Sequence, residues 1–185
     1  MGDAERRIVV LYGAPTAGKD TITEVLVGRG LGFEHFVKHK VGSGSRHGYT
    51  VVSANELDAL RDAGRIVSEV RRYGSIYAVD SERLADCLER GVVPVIHSAE
   101  PAEITKLTEM GAMLVVMECS RTTARERLSL RDLRTVDERL EVWDHVTAQI
   151  PAVLPLADIR IATDTMSPDA AADAIVAAVF AASGE

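Results

Sequence analysis

The stretch Arg7–Leu26, RIVVLYGAPTAGKDTITEVL, decides how the chain folds. It opens on Ile8-Val9-Val10-Leu11-Tyr12, an apolar, β-branched run of the kind that forms a strand buried in a parallel sheet. The loop Gly13-Ala14-Pro15-Thr16-Ala17-Gly18-Lys19 follows, and Ile22, Val25 and Leu26 then recur on one face of a helix. Strand, glycine-bounded loop, lysine and helix make the layout of a P-loop. Gly13 and Gly18 let the backbone turn tightly and bring its N–H groups close to a phosphate, and the positive end of the helix dipole points at the same place. Lys19 adds a full charge for the outer phosphates. The residue after this lysine is normally Ser or Thr, whose hydroxyl binds magnesium. Here it is Asp20, followed by Thr21. A carboxylate is a hard oxygen ligand, so Asp20 holds magnesium directly or through water.

The rest of the composition is compatible with that start. A chain of 185 residues, 46% hydrophobic and 26% charged, suits one compact domain with room for a small inserted lobe. A net charge of −7 argues against a nucleic-acid binder, which would carry a basic face, while leaving an anionic small substrate open because the arginines are clustered. Cys87 and Cys119 lack metal-ligand spacing and read as reduced, buried thiols of a cytoplasmic protein. Gly2 to Arg7 is polar, so no signal peptide is expected before the first strand. No apolar run approaches the roughly twenty residues of a membrane span.

Strands and helices alternate along the chain. Phe33 to Val37 reads as a short strand, Lys38 to Gly48 as a polar Gly/Ser-rich loop, and Tyr49 to Val52 as a strand. Ser53-Ala54-Asn55-Glu56 is a capping box that starts a helix. Ile66–Tyr73 and Ser75–Val79 read as strands around Gly74, and Asp80 or Ser81 caps the next helix. Val92–His97, Met113–Met117 and Ile159–Ala162 are strands, interleaved with helices over Pro101–Met110, Ser120–Leu130, Val136–Ile150 and Pro168–Ala182. The pattern predicts an α/β fold, a doubly wound parallel sheet, with a small inserted lobe at about 33–79 and an arginine-rich joint between helices at about 121–139.

Over nearly its whole length the chain resembles guanylate kinase and the wider nucleoside-monophosphate kinase group. Tyr49-Thr50-Val51-Val52-Ser53 is similar to that family's Tyr-x-Phe-Val-Ser strand, and Gly74-Ser75-Ile76-Tyr77 to its Gly-x-x-Tyr-Gly segment. Arg127-Leu128-x-x-Arg131 and Arg139-Leu140 resemble its lid, and Ala162-Thr163-Asp164 sits where the family has Asn-Asp before its last helix. The resemblance implies that the inserted lobe is a substrate-binding lobe and the arginine-rich joint a lid. It implies a kinase that uses ATP and magnesium to phosphorylate a phosphate already carried by a small acceptor, a nucleoside monophosphate in that group. It places Lys19, Arg127, Arg131 and Arg139 in catalysis, Gly13 to Thr21 with Thr163 and Asp164 on ATP, and Tyr49 and Tyr77 on the acceptor phosphate. The family's guanine-reading glutamate falls on Ser68, with Glu69 one residue late, and such a slip in a strand turns the side chain to the other face. Guanine recognition is therefore not expected. A second resemblance, to ribose 1,5-bisphosphate phosphokinase, rests on Gly18-Lys19-Asp20 and on Val37-Lys38-His39-Lys40, and implies a sugar phosphate as acceptor. Guanylate-kinase folds also serve as non-catalytic interaction modules, but those lose the P-loop lysine and the lid arginines that this chain keeps.

The residues support parts of this by themselves. Arg127 and Arg131 share a helix face at a spacing of four, so they repel unless an anion lies between them or nearby acids pair with them. Lys38, Lys40 and Arg46 bring charge to the polar loop, either for the acceptor or for solvent. His97 and Ser98 end a central apolar strand, where open α/β sheets meet their ligands. His97 there either orients magnesium-bound water or the acceptor, or is a satisfied buried histidine.

Overall fold

The structure is a computed structural model that describes residues 8–44, 46, 48–72, 74–130 and 135–181. Its centre is a five-stranded sheet in the order β2 (Phe33–His35), β7 (Val93–Ser98), β1 (Val9–Tyr12), β8 (Met113–Glu118), β9 (Ile159–Ala162). Every neighbouring pair runs parallel, with Val9 opposite both Val95 and Met113, and Tyr12 opposite both Ser98 and Val116. All four residues of β1 are fully buried, which is why the strand reads as an unbroken apolar run.

Alternate residues serve opposite faces of the sheet. Val10, Tyr12, Ile96, Leu114 and Val116 pack with α3 (Ser81–Glu89), α4 (Pro101–Glu109), α5 (Arg121–Ser129) and α6 (Val136–Val153). Val9, Leu11, Val95, Val115 and Met117 pack with α1 (Lys19–Gly28) and α7 (Pro168–Ala181). Helices thus cover both faces, as the alternation of elements predicts. Among the described residues no helix is long and apolar enough to cross a membrane.

A second, four-stranded sheet runs in the order β4 (Tyr49–Val51), β3 (Lys38–Val41), β6 (Ser75–Asp80), β5 (Ile66–Arg72). β3 and β4 are parallel, whereas β3–β6 and β5–β6 are antiparallel. The helix α2 (Ala54–Asp62) links β4 to β5, and Ser53 and Glu56 close its predicted capping box. Two expectations change here. Phe33–His35 belongs to the central sheet, through its pairing with β7, and not with the lobe strands. Lys38–Val41 is a strand and not the start of a loop. Hydropathy hides that strand because its inward residues are lysines, neutralised or covered by partners far away in the chain.

Candidate active site

The loop after β1 is held by close backbone contacts. Gly13 donates its N–H to the Ser98 carbonyl at 3.2 Å, and a Cβ placed on Gly13 would lie 2.6 Å from the Met117 carbonyl oxygen. Only glycine fits between those two strands. Thr16 and Gly18 take left-handed conformations, with φ of 66° and 90°, and Ala17 donates to the Ala14 carbonyl at 3.2 Å. Helix α1 begins directly behind, and Gly18 at its cap offers no side-chain acceptor, so its first-turn N–H groups point toward the loop mouth without a side-chain cap. Lys19 folds back over the loop, donating to the carbonyls of Gly13 (2.6 Å) and Ala14 (3.0 Å). Burial pushes its ammonium down to about 8 against the pull of Asp20, and Arg72 adds to the depression.

Asp20 and Thr21 follow on the exposed start of α1. The Asp20 side chain is 67% exposed, with Oδ1 3.5 Å from Nδ1 of His97. Nε2 of His97 lies 2.7 Å from the Thr23 hydroxyl, and the His97 ring stacks on His35 with centroids 4.5 Å apart. Burial, together with Lys19, His35 and Lys38, pushes His97 down to about 2, so the ring is neutral. Ser98 is buried; its hydroxyl accepts from the Glu100 N–H at 3.2 Å and shapes the turn into α4.

From the far side of the sheet α5 brings Arg127 to the same loop. Its guanidinium donates to the Thr16 carbonyl (2.9 Å), the Thr163 hydroxyl (2.9 Å) and the Thr163 carbonyl (2.8 Å). Thr163 in turn packs on Gly18, where an added Cβ would sit 3.5 Å from its Cγ2. Asp164 accepts from the Ser120 N–H at 2.8 Å, and bonds from Thr123 and Ser120 hold its carboxyl below the usual range. Asp164 thereby ties the last strand to the start of α5. The other described arginines of the predicted lid do not share the contacts that Arg127 makes with Thr16 and Thr163. Arg121 pairs with Asp144 and Arg125 with Asp137, both on the surface. Arg139 lies exposed in the first turn of α6, apart from the P-loop contacts that Arg127 makes. Arg131 lies outside the described residues.

The second sheet turns one face toward α4. Period-two alternation puts Lys38, Lys40, Tyr49, Ser68, Arg72 and Tyr77 on that face. Lys40 is 3% exposed, and its Nζ lies 5.7 Å from the ring centroids of both Tyr49 and Tyr77, which are 5.0 Å from each other. Burial and the charges of Tyr77, Asp20 and Glu103 raise the Tyr49 hydroxyl above its ordinary value. Lys38 donates to Glu103 of α4 at 2.6 Å, and Ser68 donates to the other oxygen of the same carboxylate at 2.8 Å. Arg72 approaches Glu100 at 3.6 Å.

Two substrate expectations need correction, and a third, that Arg46 lies in a polar connection, does not. Lys38 and Lys40 are buried strand residues and not solvated loop charges. Glu69 is turned to the opposite face, where Arg61 of α2 donates to it at 2.7 Å and Arg71 approaches at 3.1 Å, so it cannot read an acceptor between the sheets. Arg46 is exposed in the connection between β3 and β4. Sequence reasoning also missed Thr23, Arg72 and Glu103. Glu103 had a signal: it precedes Leu107 by four and Ile104 by one, so a charge sits on the apolar stripe of α4.

No family model matches the chain, and no curated protein matches it. Among solved structures, a guanylate kinase from Anaplasma phagocytophilum superposes with a TM-score of 0.68 at 16% identity, over 96% of this chain and 87% of that one. A shikimate kinase from Acinetobacter baumannii, in complex with shikimate, superposes with a TM-score of 0.49 at 14% identity, over 94% and 93% of the two chains. The chain shares the α/β fold of that guanylate kinase, with the glycine-bounded loop lying between β1 and α1.

Proposed function

We propose that the protein is a P-loop kinase that moves the γ-phosphoryl group of ATP onto a phosphate of a small acceptor. One observation carries this reading. Lys19 folds over the glycine-bounded loop of the central sheet, and the second sheet buries Lys40 between two tyrosines, so the chain offers a cationic group for each of two phosphates. The acceptor needs no general base. One of its phosphate oxygens, already anionic, attacks the γ-phosphorus, the bond to the β-bridging oxygen breaks, and ADP leaves with that electron pair. Lys19 and the loop amides hold the donor phosphates. Arg127 and Thr163 close the nucleotide end of the loop.

Asp20 fits a divalent cation. It is an exposed carboxylate beside the P-loop lysine, and among the described residues no group of three or more His, Cys, Asp or Glu side chains could form a dedicated metal site. A single carboxylate plus nucleotide oxygens and water is a donor set that magnesium accepts. When bound, the ion neutralises charge on the β- and γ-phosphates.

The acceptor is better read as a phosphorylated sugar, of the ribose 1,5-bisphosphate kind, than as a nucleoside monophosphate. Ser68 is committed to Glu103, and Glu69 faces away. A buried base edge would leave polar groups unpaired at about 1–3 kcal/mol each. The test is phosphorus NMR of ATP and Mg²⁺ with ribose 5-phosphate, ribose 1,5-bisphosphate and the four common nucleoside monophosphates. Preferential conversion of a ribose phosphate is expected, and GMP as the best acceptor would reverse the choice. Binding of ATP with no turnover on any acceptor would leave an interaction module instead.

A further inference from the structure

The position after the P-loop lysine carries a carboxylate, and two residues from other parts of the cleft stand behind it. Thr23 lies one turn along α1, with its side chain buried against His97, and His97 comes from the end of β7. The order is Thr23 hydroxyl, Nε2 of His97, Nδ1 of His97, Oδ1 of Asp20, with separations of 2.7 Å and 3.5 Å across the two gaps. Asp20 stands at ion-pair distance from Nδ1, and the tautomer that turns an N–H toward its carboxylate also leaves Nε2 free to accept from the Thr23 hydroxyl. The His35 ring packs beside it, with centroids 4.5 Å apart and planes tilted by 36°.

We propose that Thr23 and His97 are positioning residues that aim the Asp20 carboxylate at the divalent cation of the bound nucleotide. The Ser or Thr usual at this place reaches the cation with a short side chain on the helix itself. A longer carboxylate on the exposed first turn has more rotamers, and an imidazole N–H behind one oxygen selects among them and leaves the other oxygen outward. Outer hydrogen bonds to a ligating group commonly set metal affinity by 10- to 100-fold. The inference rests on the reading that the P-loop takes a nucleotide phosphate together with a divalent cation.

The test uses Mn²⁺ with the β,γ-imido analogue of ATP, and reads free Mn²⁺ by electron paramagnetic resonance. Binding of the analogue without metal is measured in parallel by calorimetry in EDTA. His97→Gln keeps a group near Nε2 and loses the one at Nδ1, whereas His97→Asn keeps a donor near Nδ1. Mn²⁺ affinity is expected to fall roughly 10-fold or more in His97→Gln and to stay within about threefold in His97→Asn, with metal-free binding unchanged in both. Equal Mn²⁺ affinities in the two variants, or parallel loss of metal-free binding, would overturn the proposal. If His97→Gln fails to fold, Thr23→Val decides: a metal-specific loss supports the relay, and native Mn²⁺ affinity sinks it. Metal binding that depends on His97 in a protein that phosphorylates no acceptor would refute the kinase reading while leaving this inference standing.

Discussion

The two sheets of this molecule are built on different physics. The central sheet buries β1 and β8 under helices on both faces, and its chemistry is confined to one edge, where Gly13, Ser98, His97 and Glu118 end or follow strands. The second sheet carries charge inside itself. Lys38, Lys40 and Asp80 are all buried, the first paired with Glu103 and the last accepting from Arg65 at 2.7 Å and lying 3.0 Å from Nε2 of His39. Apolar burial is non-directional, so the central sheet tolerates change that preserves volume. Buried charge depends on the particular partner, and losing one member of a pair costs far more than the pair contributes. The central sheet is therefore a tolerant scaffold, and the second sheet is the region where each partner matters.

The largest expected effect separates scaffold from chemistry. Lys19→Ala should lower phosphoryl transfer by roughly 10³-fold, the scale of losing one strong transition-state donor, while circular dichroism and thermal midpoint stay near native. A matching loss of fold would mean the lysine holds the loop together and does not serve the phosphate. Next in size, Glu103→Ala strands buried Lys38 and frees Ser68. Chemical denaturation should show about 3–5 kcal/mol of lost stability. Breaking the exposed Arg121–Asp144 pair of the helical layer should leave the denaturation midpoint close to native, since solvent screens such a pair. Equal costs would erase the contrast between the regions. Third, Lys40→Met keeps the packing under Tyr49 and Tyr77 but removes the charge. It should raise the acceptor KM about 10- to 100-fold, from a charged hydrogen bond worth about 1.5–3 kcal/mol, and leave ATP affinity unchanged.

The smallest effect is a pH dependence. Burial raises the Asp80 carboxyl, but bonds from Arg65, His39 and the Glu82 N–H outweigh that and leave it below the ordinary value. A carboxyl depressed in the folded state stabilises above the unfolded pKa, and that stability fades as pH falls through the folded one. The native chain should accordingly exceed Asp80→Asn in stability at neutral pH, with the gap narrowing steadily below the usual carboxylate range. A gap constant down to the acid transition would show that Asp80 works by shape and not by charge.

What the sequence discloses divides along the same line. Ile8 to Lys19 announces strand, loop and helix because apolar burial and tight turns leave periodic, local marks. The parallel sheet and its helices follow from the same marks, as does the capping box at Ser53. The strand Lys38–Val41 leaves none, since its inward lysines read as solvent-facing until Glu103, from a helix far along the chain, is seen beside them. Glu69 is the opposite case: its place one residue past Ser68 in a strand puts it on the other face, and the pairing of β5 with β6 agrees. Arg127 illustrates a half-visible residue. Its helix and spacing are plain, but its attachment to Thr16 and Thr163 depends on three-dimensional closure.

The Lys38–Glu103–Ser68 cluster also bears on redesign. Enlarging the cleft from the strand side alone would set each new group against a carboxylate whose two oxygens are already engaged. A protein remade to take a bulkier acceptor would have to be altered first in α4, with Glu103 and Lys38 exchanged together for uncharged partners, before any substitution on β5 had space to act.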